Sequence, residues 1–135
     1  MDARTQALRD RTKRFALRIL RLFRSLPNRP DARVLGTQIL RSGTSVAANY
    51  RAACRARSRA EFISKMGIVV EEMDETVFWI EFIMDGGLVK PSRMQALLAE
   101  ANELLAIFGA SQLTAKSHAS GPASARRVLS FVNRQ

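Results

Sequence analysis

Apolar residues recur at spacings of three and four along most of the chain, which is the repeat of an amphipathic helix. The first such segment covers about residues 4–25. Pro27 and Pro30 end it, because proline lacks a backbone N–H and disfavours helix in the residue before it. The second segment runs from about Asp31 to Arg57. The two apolar stripes consist of Leu8, Thr12, Phe15, Ile19, Leu22, Phe23 and Leu26, and of Leu35, Ile39, Val46, Tyr50 and Ala53.

Two further helices follow. The Ser-Arg-Ala-Glu segment at residues 58–61 has the spacing of a capping box, so a third helix is predicted from there to about Asp85, where two glycines end it. A fourth helix is predicted from Pro91 to about Phe108. Its apolar stripe consists of Met94, Leu98, Ala101, Leu105 and Phe108.

Four amphipathic helices with short connections predict an all-α protein, an up-and-down four-helix bundle over residues 1–114. Residues 115–135 are rich in serine and alanine and carry a positive charge, so we expect a basic, mobile C-terminal tail.

The middle of the second helix is unusually rich in small residues, with Gly43 inside the run 42–49. Glycine in a helix interior costs about 1 kcal/mol relative to alanine. We therefore interpret the run as a place where a neighbouring helix or the backbone of a ligand approaches closely. The alternative is a loop that interrupts the helix here.

The third helix has two apolar sides, although a bundle needs one. Its predicted core side consists of Phe62, Met66, Val69, Met73, Thr76, Ile80 and Met84. Tryptophan is a favoured anchor of protein–protein interfaces, and the second side contains one. We predict an oligomer interface there, made of Ile68, Glu72, Glu75, Trp79 and Phe82. The two glutamates would need Arg or Lys partners. The alternative is that Trp79 caps the bundle inside one subunit.

Charge is sorted along the chain, and the net charge is +10. Residues 1–33 carry ten basic and three acidic side chains, and residues 34–65 carry six and one. Residues 66–110 reverse the balance, with two basic and eight acidic side chains, and residues 111–135 carry four basic and no acidic ones. A basic surplus of this kind, dominated by arginine, indicates a polyanionic partner.

Arginines recur on one side of each of the first two helices, with small residues between those of the second. Few aromatic residues interleave with them, so we expect contacts to phosphates without base stacking. The predicted nucleic-acid-binding residues are Arg11, Arg14, Arg18, Arg21, Arg41, Arg51, Arg55, Arg57, Arg59 and Lys65. In the alternative, these arginines pair with the acidic third helix.

Other chemistries lack their residues. The single cysteine, Cys54, cannot form an intrachain disulfide, which fits a cytoplasmic protein. The single histidine, His118, lies in the predicted tail, so no metal site is expected. No catalytic set or phosphate-binding loop can be assembled, and no cofactor or enzymatic activity is expected. No window of about 18 apolar residues is present, so we expect no membrane association.

Two motifs carry a family resemblance: LGTQILRSGTSVAANYR at residues 35–51 and ARSRAEFISK at residues 56–65, followed by Glu72, Glu75 and Trp79. Over about residues 8–110 the chain resembles the bacterial four-helix-bundle family of proteins encoded in intervening sequences of 23S rRNA genes, to which the accessory variability determinant of diversity-generating retroelements is similar.

The resemblance implies a subunit that assembles into a barrel-like homopentamer with a basic surface. It also implies association with RNA or DNA, and with a reverse transcriptase for members near retroelements. Ala52 and Glu71 depart from the family, which often has an acid and a lysine there, and both departures change the salt bridges available at the interface.

The leading hypothesis is a non-enzymatic, homo-oligomeric nucleic-acid-binding scaffold. The alternatives are an oligomeric adaptor that binds an acidic protein and a purely structural bundle.

Overall fold

The computed structural model describes residues 2–118, which form four helices: α1 (Ala3–Ser25), α2 (Pro30–Ala53), α3 (Arg59–Asp85) and α4 (Pro91–Ser117). Helix α1 packs on α2, α2 on α3 and α3 on α4, whereas α1 and α4 make far fewer contacts with each other. The all-α four-helix bundle is therefore confirmed for the described residues.

Short polar motifs fix the starts of two helices. The Asp2 side chain accepts a hydrogen bond from the N–H of Thr5 at 2.8 Å and caps α1. The Ser58 hydroxyl accepts one from the N–H of Glu61 at 3.0 Å and caps α3, as predicted. The Glu61 carboxylate accepts from the N–H of Arg57 at 3.0 Å, one residue before the cap. The predicted capping box is therefore formed in one direction only.

Helix α3 ends at two glycines, as predicted. Gly87 has a φ of +73°, in the left-handed region that glycine adopts most easily. The N–H of Gly87 donates to the carbonyl of Met84 at 3.1 Å, and that of Leu88 donates to Ile83 at 3.2 Å. These two bonds are a Schellman motif, which satisfies the last carbonyls of the helix.

Two helix ends differ from the prediction. Helix α2 ends at Ala53 rather than near Arg57, because the chain tightens into turns after it, with the N–H of Ala56 donating to Ala53 at 3.0 Å. Helix α4 continues past Phe108 to Ser117, so the start of the predicted tail belongs to this helix. Its buried positions keep the helical repeat, at Ala101, Leu104, Phe108, Ser111 and Ala115. Residues 119–135 of the predicted tail lie outside the described residues.

The core lies along the bundle axis and is built from the predicted stripes. The largest fully buried side chains include Tyr50, Phe15, Phe62 and Phe108. Burying a side chain of this size stabilises a fold by about 1.5–3 kcal/mol. In the predicted stripe of α4, Met94, Ala101 and Phe108 are buried as predicted, whereas Leu97 and Leu104 are buried where Leu98 and Leu105 were expected.

The run of small residues lies in an unbroken part of α2, so the alternative of a loop is wrong. A Cβ atom at Gly43 would lie 2.9 Å from Cγ1 of Ile19, which means that α1 approaches here too closely for any side chain. Next to it, the buried Ser42 and Thr76 hydroxyl oxygens are 2.9 Å apart and join α2 to α3. Close helix packing therefore explains the small residues at 42 and 43.

Candidate nucleic-acid and subunit interfaces

Arg11 is bound to carboxylates of α4. Its guanidinium donates from Nε to Glu100 Oε2 at 2.9 Å and from Nη2 to Glu100 Oε1 at 2.6 Å. Glu103 adds a salt bridge at 3.0 Å. The hydrogen bond from Arg11 holds the pKa of Glu100 below its ordinary value, with smaller contributions from the charges of Arg18 and Arg14. This two-pronged pair joins two helices that make few other contacts with each other.

Arg41 is bound to carboxylates of α3. One of its terminal nitrogens lies 3.1 Å from Glu72 Oε2, and the other donates to Glu75. The two glutamates of the predicted oligomer interface therefore have their cation within the same subunit. The expectation that the arginines of the first two helices are free of carboxylates is wrong for Arg11 and Arg41, because acids of α3 and α4 lie opposite them.

A different arrangement surrounds the junction of α2 and α3. A groove of about 530 Å³ is lined there by Arg51, Arg55, Arg57 and Lys65 together with Ala48, Ala52 and Glu61. We call it the basic groove. Within residues 2–118, no carboxylate lies within 4.0 Å of its four cationic groups. The carboxylate of Glu61 instead accepts from a backbone N–H. The groove thus combines four unpaired cations with a floor of small side chains.

The positive region continues onto α1. A second groove of about 350 Å³ shares Ala48 and Arg51 with the basic groove and is also lined by Arg9 and Lys13. The Asp10 carboxylate in it accepts from the Gln6 amide at 3.0 Å. No aromatic side chain lines either groove. Sequence reasoning missed Arg9 and Lys13, because only the packing of α1 on α2 brings them beside Arg51.

The remaining predicted cations lie elsewhere. Arg14 and Arg21 are exposed and Arg18 is half-buried on α1. Arg18 and Arg21 line a cleft of about 370 Å³ between α1 and α4, which we call the α1/α4 cleft. Arg59 begins α3, and one of its terminal nitrogens is buried with no hydrogen-bond partner among the described residues. The ten predicted residues therefore do not form one continuous surface.

The second apolar side of α3 is on the surface. Phe78 and Phe82 are 51% and 48% exposed, and Ile68 is 36% exposed. Trp79 is half-buried and packs against both phenylalanines, with ring centroids 4.9 Å and 6.0 Å away, and the two phenylalanine rings are 5.7 Å apart. It also packs against the core, so the tryptophan contacts both the interior and this surface. Phe78 was missed, although its spacing from Phe82 places both on one side.

Three further observations on residues 2–118 concern metal binding, the cysteine and membrane-spanning helices. No cluster of three or more His, Cys, Asp or Glu side chains there could hold a metal ion. Burial raises the pKa of the Cys54 thiol, which keeps it protonated. Every helix in this part of the chain is too short or too polar to cross a bilayer.

The fold and its motifs define a class. The chain belongs to the 23S rRNA-intervening sequence protein family, whose sequence model matches residues 5–110, and this confirms the resemblance found in the sequence. Among solved structures, the chain is similar to a protein of unknown function from the S23 ribosomal protein family of Bacteroides thetaiotaomicron. The two are 32% identical with a TM-score of 0.75, and the match covers 81% of this chain and 97% of that chain. No curated protein matches. Neither description names an enzyme.

Proposed function

We propose that this protein is a non-enzymatic, homo-oligomeric scaffold of the cytoplasm that binds RNA or DNA through phosphate contacts. The observation that carries this proposal is the basic groove, where Arg51, Arg55, Arg57 and Lys65 surround a floor of alanines with no carboxylate paired to them in residues 2–118.

The groove suits a sugar-phosphate backbone. Guanidinium groups present forked donors that match phosphate oxygens, and the small side chains of Ala48 and Ala52 let a backbone come close. Proteins that read single-stranded bases add aromatic side chains for stacking, and none lines the groove. Binding should therefore be insensitive to base sequence and strongly sensitive to salt.

Self-association is the second part of the proposal. Contiguous exposed apolar surface on a small protein usually marks an interaction site. Trp79 and Phe82 of the predicted interface form such a surface on α3 together with Phe78, and Ile68 is exposed further towards the start of the same helix. Glu72 and Glu75, the other two residues of the predicted interface, lie on the same helix and form salt bridges to Arg41 of their own subunit. The family resemblance favours a ring of five subunits.

The test is fluorescence anisotropy with labelled 20-nucleotide RNA and DNA of the same sequence, at about 50 mM and 200 mM salt. With about four phosphate contacts to a single strand, affinity should fall about 50-fold between the two conditions. The variant R51E/R55E should lose at least about tenfold in affinity at low salt, since it reverses two contacts.

The matched control is R24E/R33E, which changes the net charge equally at two exposed positions, one in the last turn of α1 and one in the first turn of α2. It should stay within about threefold of the unchanged protein, since it removes no groove contact. Equal losses in the two variants would mean that only net charge matters. Absence of binding at low salt would contradict the nucleic-acid role and leave the oligomeric adaptor as the better hypothesis.

A further inference from the structure

We propose that subunits associate by inserting the exposed face of α3 of one copy into the α1/α4 cleft of the next copy. This inference rests on the self-association in the proposed function and names the two surfaces that meet. It is carried by the complementarity of those surfaces, each of which lacks a partner within its own subunit.

The cleft has a cationic rim and an apolar floor. Arg18 and Arg21 of α1 and Arg93 of α4 stand around it. Its floor consists of Leu22, Val89, Met94 and Leu97. The cleft lies where α1 and α4 make few contacts, and there Leu22 and Val89 stay half-buried, whereas Met94 and Leu97 are already buried in the core. An open apolar floor of this kind is stabilised when another apolar group covers it.

The exposed face of α3 has the opposite charge and matching apolar groups. Four acidic residues and Phe78 follow one another on it at spacings of three and four, with Phe78 in the middle of the series and Phe82 beside it. The acids are Glu71, Asp74, Glu81 and Asp85. Among the described residues, no cation lies within 4.0 Å of these four carboxylates. We call this surface the acidic-aromatic face.

The apolar floor distinguishes the α1/α4 cleft from the basic groove as the docking place. Both are positively charged, but the floor of the basic groove is made of alanines, which offer little surface to a phenylalanine ring. The cleft offers the half-buried side chains of Leu22 and Val89 beside its arginines. In the complex, the phenylalanine rings of the acidic-aromatic face would pack on the apolar floor of the cleft, and its carboxylates would pair with the arginines of the rim. The basic groove then stays open for nucleic acid.

Contact between two unlike surfaces joins copies head to tail, which generates a closed ring when the rotation between copies allows it. The test measures mass by light scattering after gel filtration, at a fixed protein concentration. R21E/R93E reverses the rim at two exposed positions, and E81R/D85R reverses the face. Each should reduce the mass to that of one 15.1 kDa chain. The quadruple variant, with both surfaces reversed, should regain the original mass.

The control R51E/R55E carries the same charge change as R21E/R93E and should keep the original mass, and circular dichroism should show the same helix content in every variant. Three outcomes would overturn the inference. If the unchanged protein is already a single chain, self-association itself is wrong. If it is oligomeric and R21E/R93E leaves it so, only the pairing of surfaces is wrong. If the quadruple variant stays dissociated, the two surfaces do not meet each other.

Discussion

Two sets of arginines on the same helices have different environments. In the middle of the bundle, Arg11 and Arg41 donate to carboxylates of α4 and α3. At the junction of α2 and α3, Arg51 and Arg55 line a groove in which no carboxylate of residues 2–118 is paired to them. The first set joins helices, and the second leaves its charge available to a ligand.

The difference between these two sets of arginines follows from the way in which consecutive helices run side by side. A short turn after α2 places its C-terminal end beside the N-terminal end of α3, and both ends are basic. Arg41 lies further from that turn and meets the part of α3 where the acids begin. The basic start of α3 therefore lies beside the basic end of α2, and the acidic middle of α3 lies beside Arg41. An arginine's role depends on its distance from the turn.

The largest effect should come from separating α2 and α3 beside Arg41. Ser42 is fully buried and lies 2.9 Å from the Thr76 hydroxyl, so Ser42→Leu would force the helices apart and break a hydrogen bond. We expect a loss of about 3 kcal/mol in the free energy of unfolding, measured by urea titration. Thr44→Leu, at an exposed position of the same helix, should change it by less than about 0.5 kcal/mol. Similar losses in both would mean that Ser42 does not set the helix spacing.

A smaller effect should follow from removing the pair between α1 and α4. Arg11→Gln leaves Glu100, whose side chain is 21% exposed, without its cation, and should cost about 1–2 kcal/mol at neutral pH. The pKa of Glu100 is held below its ordinary value of 4.5, so the paired state adds stability above that pH and loses it as the pH falls through the lowered pKa.

The difference in unfolding free energy between the unchanged protein and Arg11→Gln should therefore be constant above about pH 5 and shrink below it. Denaturant titrations at a series of pH values would measure it. A difference that persists undiminished at about pH 2.5 would show that Arg11 acts through packing rather than through its charge.

The smallest effect on stability should come from removing the exposed salt bridges between Arg41 of α2 and the two glutamates of α3. Arg41 is 49% exposed, so Arg41→Gln should cost only about 0.5–1 kcal/mol, partly through the repulsion it leaves between Glu72 and Glu75. Arg55→Gln, in the basic groove, should leave the free energy of unfolding unchanged. It should lower the slope of log affinity against log salt concentration by about one, because one phosphate contact is lost. If Arg55→Gln destabilised the fold as much as Arg41→Gln, the division between joining and ligand-binding arginines would fail.

Local signals in the sequence account for much of the fold. The capping serine at residue 58 and the two glycines after Asp85 predicted the ends of α3, because these motifs act within a few residues. The end of α4 was placed too early: Gly109 directly follows Phe108, as at many helix ends, but the helix continues through it to Ser117. Two positions of its stripe were placed one residue too late, because leucines at 97, 98, 104 and 105 fit two neighbouring faces equally well, and only the partner helix selects one.

The sequence by itself determined four amphipathic helices, the close approach at the small residues of α2 and an excess of arginine over the first half of the chain. These depend on periodicity, on side-chain size and on composition, which are properties of neighbouring residues. Only the tertiary structure decided which arginines meet carboxylates. A salt bridge needs its two charges within about 4 Å, and Arg11 and Glu100 are brought that close by the packing of helices that are far apart in the chain.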